Sequence, residues 1–433
     1  MNALSSASAD TGAAGWPGRQ ILATAVVLAV AMGIGRFAFT AVYPVMVQDG
    51  LLSVRSGSWA ASANYAGYLI GAIAVSRLGP GAAGMLCRMG LLGTVLTLLA
   101  MVLPGEPVMP IVVRFFAGAA SAVALVGVST WLFQVIDRPA GAPMMFAGVG
   151  AGILASSELI ALGKGAGWHS PALWLLLASA STCLLLAVWR CFGPKAGSRA
   201  AVKPRNALVS ETAITADGTT HGMSADIATG AASPISPQPV IPGTPMGAWP
   251  LILIYSLAGF GYIVTATYLP LFVKQALGSV DPVQVWAVFG LGAIPSCLLW
   301  HRVQQRWGTR IALGSNLAVQ LVGVLLPALS RSPAAFLLSA VLVGGTFMGT
   351  TTIAMSAARV VAAQLSFNIL AVMTAGYGIG QILGPLTSDL LFHRYGGFET
   401  PLGAAGAVLA LAVVLCAYGR AAASVSTSGM RAS

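Results

Sequence analysis

Three charged side chains fall inside apolar stretches of this chain: Arg36 within Met32-Gly-Ile-Gly-Arg-Phe-Ala-Phe-Thr-Ala-Val-Tyr-Pro44, Arg114 within Val112-Val-Arg-Phe-Phe-Ala-Gly118, and Glu158 within Ala155-Ser-Ser-Glu-Leu-Ile160. A cation in the middle of an apolar helix costs about 2.5 to 3.5 kcal/mol on insertion scales, so it needs a buried partner or a bound anion. A guanidinium offers five donors in a planar fork that matches a carboxylate edge. Arg36 is therefore the first candidate for binding an anionic substrate. Glu158 is the candidate proton carrier, because burial raises a carboxyl pKa and a nearby arginine lowers it, and a moving protein changes which effect wins. The plain alternative is a static ion pair of Glu158 with Arg114 or Arg36. Arg114, set among small packing residues, is expected to be structural or to tune Glu158. Asn64 and Tyr262 are softer substrate-binding candidates. Tyr68, Thr265, Tyr268 and the run Thr346, Thr350, Thr351, Thr352 are weaker ones, Tyr262 to Tyr268 lying beside a Gly-x-Gly break expected at Gly259 and Gly261.

The elements that must hold these side chains are membrane helices. Hydrophobic residues make up 57% of the chain and charged residues 8%, against about 25% charged in ordinary soluble domains. Runs long enough to cross ~30 Å of hydrocarbon begin near Ile21, Gly57, Ala82, Val108, Ala142, Pro171, Ala248, Val283, Thr309, Pro333, Ser366 and Pro401. This predicts an all-α polytopic membrane protein with twelve transmembrane helices. Fifteen Lys and Arg fall on the side of the termini, while Arg55, Lys164, Lys274, Arg331 and Arg394 fall on the other. That bias places both termini in the cytoplasm. It also accounts for the net charge of +11 without a nucleic-acid partner. At 1.5 Å per residue, Arg36, Arg114 and Glu158 sit about 13, 9 and 7 Å below the outer ends of their helices, so all three are expected in the outer half of the membrane.

Residues 193–247 are rich in Ala, Ser, Thr, Pro and Gly and lack the apolar content to fold. The expected organisation is a cytoplasmic N-tail over 1–20, a six-helix bundle over 21–192, a disordered linker over 193–247, a second bundle over 248–420 and a C-tail over 421–433. The bundles echo one another. Gly33, Gly35 and Pro44 recur 226 residues later as Gly259, Gly261 and Pro270, and Gly148, Gly150 and Gly152 recur as Gly376, Gly378 and Gly380. Two pseudo-symmetric halves of six helices suit alternating access around a site between them. The five cysteines and four histidines are scattered without ligand spacing, so no disulfide framework, metal or cofactor is expected. Short outer loops poor in acidic residues and histidine argue against a membrane enzyme.

Arg114-Phe-Phe-Ala-Gly118 resembles the Arg-x-x-x-Gly signature of the major facilitator superfamily. More narrowly, Gly33-Ile-Gly-Arg-Phe37 with Pro44, Ala63-Asn-Tyr-Ala-Gly-Tyr-Leu-Ile-Gly71, Gly345-Thr-Phe-Met-Gly349 followed by Arg359, and Gly378-Ile-Gly-Gln-Ile-Leu-Gly-Pro385 resemble the bacterial YbfB/YjiJ family. The resemblance implies the superfamily fold, in which the helices of Arg36, Arg114 and Glu158 are neighbours and the three share one polar pocket, and a multi-pass protein of the bacterial inner membrane that acts as a monomer. It also implies a secondary transporter of a small organic solute. With Arg36 included, the expected substrate is an organic anion moved with protons; drug efflux is the alternative, in which Arg36 only pairs with Glu158. The superfamily's Asp-Arg-x-Gly loop is altered, with Ser76 and Gln305 where its carboxylates would stand.

Overall fold

A backbone in hydrocarbon must satisfy every N–H and C=O within its own segment, and helix does this locally. The computed structural model, which describes residues 17–103, 108–193, 246–278, 280–362 and 365–428, is helical throughout its apolar length. In order these helices are α1 Pro17–Leu28, α2 Ala38–Gln48, α3 Val54–Val75, α4 Ala83–Ala100, α5 Val108–Thr130, α6 Ala142–Gly165, α7 Ser170–Val188, α8 Ala248–Ala276, α9 Pro282–Leu329, α10 Pro333–Ala362, α11 Ile369–Tyr395 and α12 Glu399–Ser428. Ten helical stretches among the described residues are long and apolar enough to cross a membrane. One is α9, where Gly308 (φ 81°, ψ 165°) joins two helical arms; only glycine takes this backbone readily. The sequence predicts two separate spans there, from Val283 and Thr309, and the bend falls between them. The helix α3, with 22 residues, packs between α5 and α11. The expected tail over 1–20 and linker over 193–247 lie almost wholly outside the described residues. At the other end α12 continues past Arg420 to Ser428.

Local chemistry places the helix starts. Ser53 accepts from Ser56 N at 3.0 Å while its own N–H donates to Ser56 Oγ at 2.9 Å, a reciprocal cap for α3. Asp281 accepts from Val283 N at 3.0 Å to start α9, and Asn368 from Ala371 N at 3.1 Å to start α11. Ser366, the expected start, precedes that cap.

The glycine echoes are the contact surfaces of the two halves. In α6 a Cβ on Gly152 would come 2.7 Å from Ala29 Cα of the first span, and one on Gly150 would come 2.6 Å from Ile294 N of α9. In α11 a Cβ on Gly380 would come 2.6 Å from the Ser256 backbone oxygen of α8, and one on Gly378 would meet Leu69 of α3. The outer members of each triplet thus face the first helix of their own half, and the middle member faces the other half. Small residues let backbones approach where lipid offers no hydrophobic drive.

Across the two halves, a set of polar bonds gathers toward one end of the bundle. Thr40 donates to the Ala266 carbonyl at 2.9 Å, Tyr268 Oη to Ser58 Oγ at 2.6 Å, Lys274 Nζ to Gln48 Oε1 at 2.6 Å, and Lys164 pairs with Asp281 at 2.6 Å. At the opposite end the Arg359 guanidinium lies 5.6 Å from the Phe133 ring centroid of the other half.

Candidate functional site

The first span is not the continuous helix its sequence suggests. After α1 the chain passes through a π-turn, Ala29–Ile34, with wide bonds from Gly35 N to Val30 O (2.8 Å) and Phe37 N to Met32 O (2.9 Å), before α2 begins at Ala38. Two glycines in three positions lower helical preference here by about 1 kcal/mol each relative to alanine, and Gly33 presses its backbone against Gly152. The break strips carbonyl groups of their helical partners. Arg114, from α5, satisfies two of them: Nη1 donates to Gly35 O at 2.8 Å and Nη2 to Arg36 O at 2.6 Å. Trp286, from α9 in the other half, donates Nε1 to Phe37 O at 3.1 Å. The carbonyl end of a helix segment carries partial negative charge, so a buried guanidinium is well placed there.

The counterpart stretch Gly259-Phe-Gly261 stays helical, because α8 runs unbroken from Ala248 to Ala276. The break expected beside Tyr262 is absent. A physical reason is at hand: α10, which corresponds to α5, carries no cation before Arg359, so that helix has no counterpart of Arg114 to satisfy freed carbonyls.

The break aims Arg36 into the seam between the halves, where it is 3% exposed. Its guanidinium carbon lies 4.1 Å from the ring centroid of Tyr68, 4.7 Å from Tyr65 and 5.4 Å from Phe37. Ring faces attract a cation, by about 2 kcal/mol or more when both are desolvated, and here they replace part of its lost hydration. Its hydrogen bonding is sparse by contrast. Nη2 donates to Gln381 Oε1 at 3.4 Å, and Nε has no partner. Gln381, on α11, donates its Nε2 to Tyr262 Oη. Tyr262 in turn is sandwiched between Phe347 and Tyr377, both within 18° of parallel at 5.6 and 5.8 Å. Arg36 and Tyr262 therefore share one site, linked by Gln381.

Other expected members stand elsewhere. Asn64 is buried and donates to the Arg114 backbone carbonyl at 2.8 Å, which fastens α3 to α5 behind the site. Glu158 does not join the arginines. Its side chain is exposed, in line with the exposed Ala151, Ala155 and Leu162 on the outer face of α6, and among the described residues no carboxylate lies within ion-pair distance of Arg36 or Arg114. The expected pocket of three charges is corrected to two buried arginines and a separate surface carboxylate. Depth along a helix is legible in sequence, but direction around it depends on 100° per residue and on neighbours. Tyr268 is buried at the tight end, bonded to Ser58 and to Pro385 O at 3.0 Å. Thr346 and Thr350 bond to their own helix and to Asn316, so they serve packing. Among the described residues no three His, Cys, Asp or Glu converge, and all five cysteines are free.

Sequence reasoning passed over Gln381, Trp286 and Tyr65. Gln381 and Tyr65 left a trace, Gln381 as the one amide in the glycine-rich Gly378-Ile-Gly-Gln-Ile-Leu-Gly-Pro385 and Tyr65 within Ala63-Asn-Tyr-Ala-Gly-Tyr-Leu-Ile-Gly71.

Comparison with known proteins agrees with this architecture. No curated protein matches the chain. Among solved structures, a crystal structure of a mutant of the nucleoside transporter NupG is similar in fold, with a TM-score of 0.63 and 11% identity over 92% of this chain and 99% of that one. The family described as "Uncharacterised MFS-type transporter YbfB" matches residues 28–225 and again residues 222–417, one match to each half. The chain therefore belongs to that family of the major facilitator superfamily, and its two matched halves are the two pseudo-symmetric bundles of a multi-pass transporter.

Proposed function

We propose that this protein is a secondary transporter of a small organic anion, with Arg36 as the anion-binding group and Tyr262 and Gln381 beside it. The observation that carries the reading is a buried guanidinium without a carboxylate partner, with an unpartnered Nε. Arg114 also has an unpartnered Nε, but two carbonyl oxygens at 2.8 and 2.6 Å solvate its charge; Arg36 has only the 3.4 Å bond to Gln381, and a desolvated cation so poorly solvated favours an anion strongly. A neutral solute such as a nucleoside would leave that charge uncompensated. Efflux of a hydrophobic drug is disfavoured for the same reason, and because Glu158 does not pair with Arg36.

Alternating access follows from the seam. The bonds of Thr40, Tyr268, Lys274 and Lys164 hold one end shut, and the charge bias supports an outward position for that end and cytoplasmic termini; twelve passes, a bacterial inner membrane and a monomeric unit belong to the same proposal. Proton coupling belongs to the same proposal. Glu158, the carrier expected from sequence, lies away from the seam. Asp389 on α11 is the better placed carboxylate: its Oδ1 is buried without a hydrogen bond, 3.3 Å from His393 Nδ1, one turn above the Pro385 carbonyl that accepts from Tyr268.

The test is a thermal-shift screen of the purified protein against organic anions and neutral analogues, followed by uptake into proteoliposomes. Anions that raise the melting temperature of the wild type and not of Arg36→Gln support the reading. A ligand set that is entirely neutral, or equal shifts in both proteins, would falsify it.

A further inference from the structure

The direction of the unpartnered donor says more about the ligand, on the reading that Arg36 binds an anion. In a guanidinium the Nε–H and one Nη2–H bond run parallel along one edge, the edge that a carboxylate takes with two bonds at once. That edge is the one Arg36 holds in reserve. Nε is buried without a partner, and Nη2 makes only the 3.4 Å bond to Gln381 Oε1. The other face of the charge is committed, because the rings of Tyr65 and Tyr68 lie 4.7 and 4.1 Å from the guanidinium carbon.

The amide oxygen of Gln381, 3.4 Å from Nη2, is therefore the group a carboxylate would compete with for that nitrogen. Gln381 is also held from behind, by its Nε2 bond to Tyr262, and it belongs to the half opposite Arg36, 345 residues away in sequence. A carboxylate arriving at this edge would replace a weak amide bond that spans the seam with two charge-assisted bonds on one side of it. Among the described residues Arg36 is the one cation free at this edge, since Arg114 is already bonded to Gly35 O and Arg36 O, so a single negative charge fits and a second would be buried unpaired.

The body of the ligand is set by what surrounds that edge. Tyr68 of α3 and Tyr377 of α11 are only half-buried, one from each half, where α3 and α11 abut at Leu69 and Gly378. Tyr377 is nearly parallel to Tyr262, 5.8 Å away, and to Tyr255, 4.4 Å away, so the seam here is built of aligned ring faces. Flat unsaturated rings pack against such faces better than saturated ones, and two such contacts correspond to about a tenfold preference. We infer that the substrate is an aromatic monocarboxylate, which docks side-on against Nε and Nη2 of Arg36 and displaces the Gln381 amide oxygen.

The experiment is isothermal titration of the full-length protein in detergent with benzoate, cyclohexanecarboxylate, phthalate and benzamide. Benzoate should bind at least tenfold more tightly than cyclohexanecarboxylate or phthalate, and benzamide should not saturate. Gln381→Ala should bind benzoate severalfold more tightly than wild type, because the competing oxygen is gone. Gln381→Glu should bind it at least tenfold more weakly, because its own carboxylate occupies the edge. Melting temperatures without ligand report whether each variant folds; a merely structural glutamine would make both variants weaker binders. Equal affinity for benzoate and cyclohexanecarboxylate, or weaker binding by Gln381→Ala, overturns this inference and leaves the anion site at Arg36 standing. Benzoate binding unchanged in Arg36→Gln, or no carboxylate binding by wild type, overturns both.

Discussion

The side chain of Arg114 donates to the backbone carbonyl of Arg36 at 2.6 Å, so one intramembrane arginine holds the chain that presents the other. Arg114 uses Nη1 and Nη2 on the broken first span, and that break turns Arg36 toward Gln381. The two cations thus have different work. One replaces lost helical bonds, and the other faces the opposite half.

Replacing Arg114 should therefore cost stability before it costs specificity. Arg114→Ala leaves the carbonyls of Gly35 and Arg36 buried without partners, at about 1 to 3 kcal/mol each, and should lower the melting temperature in detergent by several degrees. Arg114→Lys can bond one carbonyl well and should fall between. An unchanged melting curve for the alanine variant would show that the first span closes into regular helix without Arg114.

For Arg36 the expected order is reversed. Arg36→Lys keeps the charge and loses the planar fork, so it should fold as wild type while binding the anionic ligand at least tenfold less tightly. Arg36→Gln should lose binding and also relieve the cost of a buried charge, giving an equal or higher melting temperature. Transport at wild-type rate and affinity by either variant would place the substrate elsewhere.

The two membrane-depth carboxylates give opposite expectations. Glu158→Gln, on the outer face of α6, should leave accumulation driven by a pH gradient nearly unchanged. Asp389→Asn should abolish that accumulation while counterflow exchange of substrate persists, because exchange needs no net proton movement. Loss of accumulation in Glu158→Gln alone would return the coupling role to that residue.

A pH effect is expected at the tight end. Asp49 is desolvated, which raises its pKa, but bonds from His169 Nδ1 (3.0 Å) and Ser170 N (2.7 Å) outweigh this and hold it below the ordinary value of 3.8. A depressed carboxyl pKa contributes stability that is complete above the unfolded value and lost as pH falls through the folded one. The melting temperature of wild type should thus drop more than that of Asp49→Asn only below about pH 3.8, and equal acid sensitivity in both would remove this pair from the account.

Much of the fold is legible in the order of residues alone. The span starts near Val108, Ala142, Ala248 and Pro333 coincide with helix starts, since lipid leaves an apolar segment no alternative to helix. The glycine echoes mark close packing because a backbone can approach another only where Cβ is missing. Arg36 stands out because charge in an apolar run is costly wherever it points.

What the sequence determined by itself was therefore one-dimensional: which segments are helices, how deep each charge lies along its helix, and that the halves repeat. Tertiary structure decided direction and partnership. Glu158 shares its depth with the arginines, yet the packing of α6 against the first span and α9 turns it outward. The first span breaks and Arg114 of α5 takes its freed carbonyls, while its repeat in α8 stays helical and the matching helix α10 has no cation before Arg359. Gln381 meets Arg36 across 345 residues, a contact that no local pattern records, since it exists only when the two halves close on one another.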